Sequence, residues 1–199
     1  MKKESKIYLY KDRDDYVKKL TSDDVINIIG TKGSGKTYTS LKYTKDDNYI
    51  VINTDRLLSL PMDSIEDDYT KEIRDILIKK YGSIKEGEEF YKQYLDIIDY
   101  VNKMKKEPII EGNLLYDIKP ITKLLGTVIV KRTGIHKCYI RSIKRDYPNK
   151  YFLNEEIKKH GKVLGRIHRF KNISKRRKNI YKLYHDIESI IEELDNYKV

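Results

Sequence analysis

The chain has 199 residues, with 42 Lys or Arg against 31 Asp or Glu, a net charge of +11 and a hydrophobic share of 39% that includes 18 Tyr. That length and apolar content suit one folded domain and exclude a disordered or collagen-like chain. A single cysteine, Cys138, rules out an intramolecular disulfide, and four histidines without Cys pairs give no zinc-ligand spacing; with no stretch near the ~20 apolar residues of a membrane span and no signal peptide after the charged start, a cytoplasmic location is expected.

In chain order, Lys6 to Tyr10 alternates as a short strand and Asp12 to Leu20 fits a short helix. Val25 to Ile29 is an apolar run ending at glycine, the mark of a buried parallel strand. Lys36 to Lys45 reads as a helix and Tyr49 to Asn53 as a second buried strand, rich in β-branched and aromatic residues. Strand, helix and strand in so short a span make a βαβ unit. Its right-handed crossover brings the loop after the first strand and the end of the second to one sheet edge.

Two amphipathic helices follow. Ser64 to Tyr81 carries Ile73, Ile76, Leu77 and Tyr81, and Glu88 to Lys106 carries Phe90, Tyr94, Ile97, Ile98, Val101 and Met104. Pro108 is expected to stop the second, Ile109 to Glu111 to form a third strand, Asp117 to Leu125 a helix closed by Gly126, and Thr127 to Lys131 a fourth strand. Beyond Lys131 the pattern is helical, over 135–146 and 154–170 with a turn near Pro148. Leu183, Ile187, Ile190, Ile191, Leu194 and Tyr197 then form a stripe suited to packing on the sheet. The alternation predicts an α/β fold with a mostly parallel sheet, in one domain spanning 1–199 without a second hydrophobic core.

The positive charge is local. Residues 1–130 hold 23 basic and 23 acidic side chains, 131–182 hold 18 and 3, and 183–199 hold 1 and 5. The middle segment is a concentrated attractor of anions, so nucleic acid joins small phosphate-bearing molecules as a candidate partner; a solvated helical surface is the plainer account.

The chemistry is concentrated in Gly30-Thr31-Lys32-Gly33-Ser34-Gly35-Lys36-Thr37, which fits the phosphate-binding pattern G-x-x-x-x-G-K-[ST] between an expected strand and an expected helix. A polyphosphate must be wrapped by backbone N–H groups, and Gly30, Gly33 and Gly35 let the chain curl closely. Lys36 can extend its ammonium to the β and γ phosphates, and Thr37 can offer its hydroxyl to Mg²⁺. Asp55, twenty residues beyond Gly35, would suit the ribose-binding acid of a dinucleotide site, but the Lys36-Thr37 pair and the glycine spacing speak against that reading.

With this loop the sequence resembles the small P-loop kinases of the nucleoside monophosphate kinase-like group, strongly over the βαβ start and loosely elsewhere. The resemblance implies a three-layer α/β/α P-loop NTPase fold, with 132–182 as a basic helical lid, and ATP with Mg²⁺ as cofactors. Asn53-Thr54-Asp55-Arg56-Leu57-Leu58 stands where such kinases place an acid that holds or deprotonates the acceptor hydroxyl, a role that falls to Asp55, with Arg56 near acceptor phosphate. The lid arginines of the group correspond to Arg141 and Arg145, one helical turn apart, and to Arg166 and Arg169. The metal-binding strand usually ends in Asp; here Ile109-Ile110-Glu111-Gly112 ends in Glu, so Glu111 takes the metal or acceptor role, with Asp117 as the substitute. The group's usual fifth core strand is not visible, and Lys6 to Tyr10 can supply one in its place.

Three functions follow from this reading. The first is a kinase transferring the γ-phosphoryl of ATP to a nucleotide or related small acceptor; the second is a kinase acting on nucleic acid, motivated by segment 131–182; the third is a nucleotide-switched binding module. His136, His160, His168 and His185 have no matched nucleophile and are assigned to the surface or lid, Cys138 to a buried packing position, and most of the tyrosines, any of which could stack on a base, to packing or the solvent-exposed surface.

Overall fold

Every expected core strand forms. In a computed structural model, which describes residues 7–10, 25–41, 47–58, 68–146 and 157–196, the strands are β1 (Ile7–Tyr10), β2 (Ile26–Gly30), β3 (Tyr49–Asn53), β4 (Glu107–Glu111) and β5 (Thr127–Lys131). They form one sheet in the order β1-β5-β2-β4-β3. The registers of β1 with β5, β2 with β4 and β3 with β4 are all parallel. β1 takes one edge of the sheet and supplies the fifth strand. β2 and β5, inside the sheet, are buried along their whole length, whereas β3 forms the other edge and covers only alternate residues, so it is half-buried and not the fully buried strand expected.

The chain divides into two compact units, one of Met1–Ile29 with Gly35–Lys131 and one of Gly30–Ser34 with Arg132–Val199. The first unit is α/β. Its helices are α1 (Lys36–Ser40), α2 (Thr54–Leu58), α3 (Asp68–Tyr81) and α4 (Phe90–Lys103). Phe90, Tyr94, Ile97 and Val101 repeat at helical spacing and are buried, as are Ile28, Ile52, Ile109 and Ile129 of the sheet. Asn27, buried inside β2, donates from its side-chain amide to the carbonyls of Leu125 (2.7 Å) and Thr127 (3.3 Å), which fixes the chain entering β5.

Several expected boundaries shift for local reasons. The Thr39 hydroxyl donates to the Gly35 carbonyl and that of Ser40 to the Thr37 carbonyl, and in such a β-branched, hydroxylated stretch the described helix ends at Ser40 rather than at Lys45; residues 42–46 lie outside the described part. α4 ends at Lys103, where Lys105 turns the chain with φ +58°, so Pro108 does not stop the helix but sits within β4 opposite Ile50. The helix expected over 117–125 is replaced by two short 3₁₀ turns, Asn113–Asp117 and Ile121–Lys123. Pro120, which has no N–H to donate, separates them. Gly126 is not a helix stop: its φ is +72°, and a Cβ there would overlap the Val25 carbonyl, to which Thr127 N–H donates. The helix expected over 12–20 and the start of the one expected from Ser64 lie outside the described residues.

The second unit contains α5 (Ile135–Asp146), as expected, and α6 (Lys162–Asn196). The sequence suggested a helix ending at Phe170 and a separate C-terminal stripe, yet α6 runs unbroken for 35 residues. The break falls earlier, at Gly161 with φ +79°. Within this unit α6 packs against α5, Ile180, Ile187, Ile190 and Ile191 of α6 are buried, and Glu188 accepts two hydrogen bonds from Arg132, at 3.1 and 2.5 Å. Among the described residues no helix is long and apolar enough to cross a membrane.

Candidate functional site

The carboxyl ends of β2, β3 and β4 lie side by side, with Glu111 in register with both Ile28 and Asn53. From β2 the chain passes beyond β4 to reach β3, and from β4 it returns across β2 to reach β5. Connections leaving neighbouring strands in opposite directions define a switch point, where α/β sheets open a crevice at the strand ends. The residues there carry most of the candidate chemistry in the first unit.

Glu111 is 1% exposed. Its Oε1 accepts a hydrogen bond from the Asn53 side-chain amide at 2.9 Å, and its Oε2 has no hydrogen-bond partner. Burial pushes its pKa above the ordinary carboxylate value; the Lys36 ammonium and the Thr37 hydroxyl oppose that rise, Asp55 adds to it and the Asn53 amide opposes it. Lys36, itself 8% exposed, is the compensating cation for this buried carboxylate.

Asn53, to which the sequence pattern assigns no role, joins two parts of the candidate site. Its Oδ1 accepts the N–H groups of Asp55 (3.0 Å) and Arg56 (3.2 Å), the geometry of a helix N-cap, and so starts α2 immediately after β3. The opposite end of the same amide holds Glu111. An Asn between a strand and Thr-Asp is a cap signal that could have revealed α2. Asp55, exposed in the first turn of α2, accepts Asn113 N–H at 2.8 Å through Oδ1. The ends of β3 and β4 are thus tied twice, by Asn53 to Glu111 and by Asn113 to Asp55. Gly112, between the tied residues, has φ +130°, and a Cβ there would overlap Thr54 Oγ1. The Glu-Gly ending is therefore a packing requirement of this corner.

The loop after β2 is divided between the units, Gly30–Ser34 belonging to the second and residues 35–37 to the first. Gly30–Ser34 group with the second unit, where Gly33 has φ +85°, the Ser34 N–H closes a turn onto the Thr31 carbonyl at 2.9 Å, and Thr31 and Ser34 are buried. The Thr133 hydroxyl donates to the Ser34 carbonyl at 3.1 Å and Arg141 donates to the Gly33 carbonyl at 3.5 Å. A Cβ on Gly33 would overlap the Cys138 carbonyl in α5, so glycine is needed there for both conformation and space. The Ser34 hydroxyl is buried without a partner. Gly35, with φ +98°, leads into Lys36 and Thr37 of α1 in the first unit.

The remaining predicted residues are dispersed. Lys32 is half-buried in the loop and Arg56 half-buried in α2. Arg145 lies exposed one turn beyond Arg141 on α5, and Arg166 and Arg169 lie on α6. Asp117 Oδ2 accepts Gly87 N–H at 3.2 Å, which anchors the turn that leads into α4. Cys138 is buried, with its thiol directed to the Thr133 carbonyl at 3.3 Å, as its assignment to packing anticipated.

Thr37 and the unpartnered oxygen of Glu111 fit the oxygen preference of Mg²⁺. Among the described residues no group of three or more His, Cys, Asp or Glu side chains gathers, so such an ion would draw its other ligands from phosphate and water, which is how Mg²⁺ is commonly held. No protein-family model matches the chain, and no curated protein matches it.

Proposed function

We propose that the protein is a Mg²⁺-dependent P-loop kinase of three-layer α/β/α architecture, which transfers the γ-phosphoryl group of ATP to a nucleotide or related small acceptor. The observation that carries this reading is Lys36 buried beside Glu111 at the end of a loop whose sequence is GTKGSGKT and which joins a central parallel strand to a helix.

In this reading the amides of 30–36 and the Lys36 ammonium bind the triphosphate, and Thr37 with Glu111 holds Mg²⁺, which when bound neutralises charge developing on the transferring group. Asp55 is exposed at the start of α2 with one carboxylate oxygen fixed by Asn113 and the other available to an acceptor hydroxyl. It orients that hydroxyl and takes its proton as the new P–O bond forms and the bond to the β-phosphate oxygen breaks. Arg56 serves acceptor phosphate. Arg141 and Arg145 offer forked guanidinium donors to phosphoryl oxygens, and Arg166 and Arg169 remain weaker candidates for the same role.

The test is γ-phosphoryl transfer from labelled ATP across a panel of nucleosides, nucleoside monophosphates and oligonucleotides with free 5′ hydroxyls. A labelled small acceptor is expected, with transfer reduced by at least about 10²-fold in Lys36→Met while the fold is retained. Undiminished transfer by Lys36→Met, or no labelled acceptor from the wild type, rejects the reading.

A further inference from the structure

Helix α6 carries a charge arrangement that its own stability does not explain. Residues 157–182 contain 11 Lys or Arg and no Asp or Glu, and the acidic residues of the helix begin only at Asp186. The first turn of α6 holds no acid and the last turn no base, the reverse of what the helix dipole favours. Lys171, Lys175, Lys178 and Lys182 are spaced by four, three and four residues and so stack on one face, where like charges at such spacing repel. All four are exposed, and none forms an ion pair with a described residue.

This stripe faces away from the helix's packed side. At 3.6 residues per turn the four lysines fall within an arc of about 60°, opposite the arc occupied by the buried Gly165, Ile180, Ile187, Ile190 and Ile191. It spans about 16 Å of helix. Phe170, 72% exposed, stands immediately before it, and Arg177 lies over the Tyr181 ring at 5.5 Å beside it. A linear row of cations with an exposed aromatic ring is the composition that tracks a phosphate backbone and stacks on bases.

We infer that the lysine stripe of α6, with Phe170, is a nucleic-acid-binding surface. A lipid surface fits less well. The exposed apolar side chains Val163, Leu164, Ile167 and Phe170 are confined to the start of the helix, and the row continues beyond them as lysine. Those four share one arc of about 120°, but over only about 10 Å of the helix, whereas the lysine row extends over about 16 Å; a membrane surface would meet a short apolar patch followed by charge, and a helix that embeds in one needs a sustained apolar face. The inference goes beyond the kinase reading and stands on α6 alone.

The experiment is fluorescence anisotropy of labelled DNA of about 20 nucleotides, single-stranded and duplex, titrated with the full chain between about 50 and 200 mM salt. The wild type is expected to bind, with log affinity falling linearly with log salt. Lys171→Gln, Lys175→Gln, Lys178→Gln and Lys182→Gln combined are expected to reduce the slope for single strands by about 3, since each neutralised phosphate contributes roughly 0.7. Phe170→Ala is expected to weaken single-strand more than duplex binding. Lys175→Glu with Lys182→Glu, whose added acids preserve good helix formers, is a second variant, and circular dichroism verifies that both retain α6. Lys36→Met is expected to bind DNA as the wild type does, so loss of transfer and loss of DNA binding are separable. Wild-type affinity in the folded stripe variants, binding insensitive to salt, or binding to phosphatidylserine vesicles with none to DNA overturns the inference.

Discussion

At Gly112 the backbone φ of +130° and the Thr54 hydroxyl, which occupies the space of a Cβ, both exclude a side chain. Gly112→Ala is expected to destabilise the protein by about 2–4 kcal/mol in urea unfolding, from strain and overlap together. Gly82→Ala is the control: φ is +78° but nothing lies within 4 Å, so only the conformational cost of about 1 kcal/mol applies. Asn53 allows a finer separation, because its two ends act on different groups. Asn53→Asp keeps a capping oxygen for α2 but sets a carboxylate against Glu111, whereas Asn53→Ala removes both ties. If Glu111 holds Mg²⁺ as proposed, phosphoryl transfer is expected to fall about 10- to 100-fold in Asn53→Asp, the usual cost of losing a group that orients a metal ligand. Its far-UV spectrum should match the wild type. Near-normal transfer by Asn53→Asp would show that Glu111 needs no orienting partner.

Between elements, α3 and α4 are joined by Asp96, which accepts Lys80 at 2.9 and 2.8 Å and the Tyr81 hydroxyl at 2.8 Å. Partial burial pushes the Asp96 carboxyl upward, but the bonds from Lys80 and Tyr81 and the charges of Lys80 and Lys103 outweigh it and hold its pKa below the ordinary aspartate value. The unfolded chain therefore binds a proton more readily than the folded one. The stabilisation is complete above the ordinary aspartate value and is lost as pH falls through the lowered folded value. Asp96→Asn is expected to lower Tm near neutral pH by about 1–2 °C, since the partner lysine is largely in water, and the difference should shrink in acid. A constant difference from pH 7 to pH 2 would remove the charge from the explanation. Elements of this kind show what sequence pattern reveals. β3, β5 and α5 match their expected limits because strand composition or helical spacing is complete within each segment. The loop 30–37 was singled out by residue type and spacing and Glu111 by its place in the resemblance, and Glu111 does end β4 at the carboxyl edge of the sheet. Asn53 was not, since its role depends on Glu111, 58 residues away, and the strand order that makes them neighbours is a tertiary outcome. The unbroken α6 was missed because its inward and outward faces carry different signals along its length, so the basic and apolar portions read as separate helices.

For the whole molecule, the distribution of charge joins the two proposals. Residues 1–130 are balanced, so under the proposed function the candidate loop would attract a triphosphate by local means: glycine-turned backbone, one buried ammonium and the oxygens proposed to hold Mg²⁺. Segment 131–182, with 18 bases and 3 acids, attracts polyanions through net charge. The first kind of binding would rest on a few groups fixed at short range and is screened little, whereas the second is spread over many exposed residues and is screened. Ligand binding to the folded state raises stability by about 2.7 kcal/mol at a hundredfold excess over Kd, or roughly 5–10 °C in a chain of this size. Mg²⁺–ATP is therefore expected to raise the wild-type Tm in calorimetry, with most of the shift kept at about 200 mM salt, and to leave Lys36→Met unmoved. The four-lysine variant should keep the full shift, because those lysines pair with no described residue and their removal leaves the loop's bonds intact. Loss of the shift in that variant would make the basic helix part of triphosphate recognition, and an equal shift in Lys36→Met would place the nucleotide away from the loop.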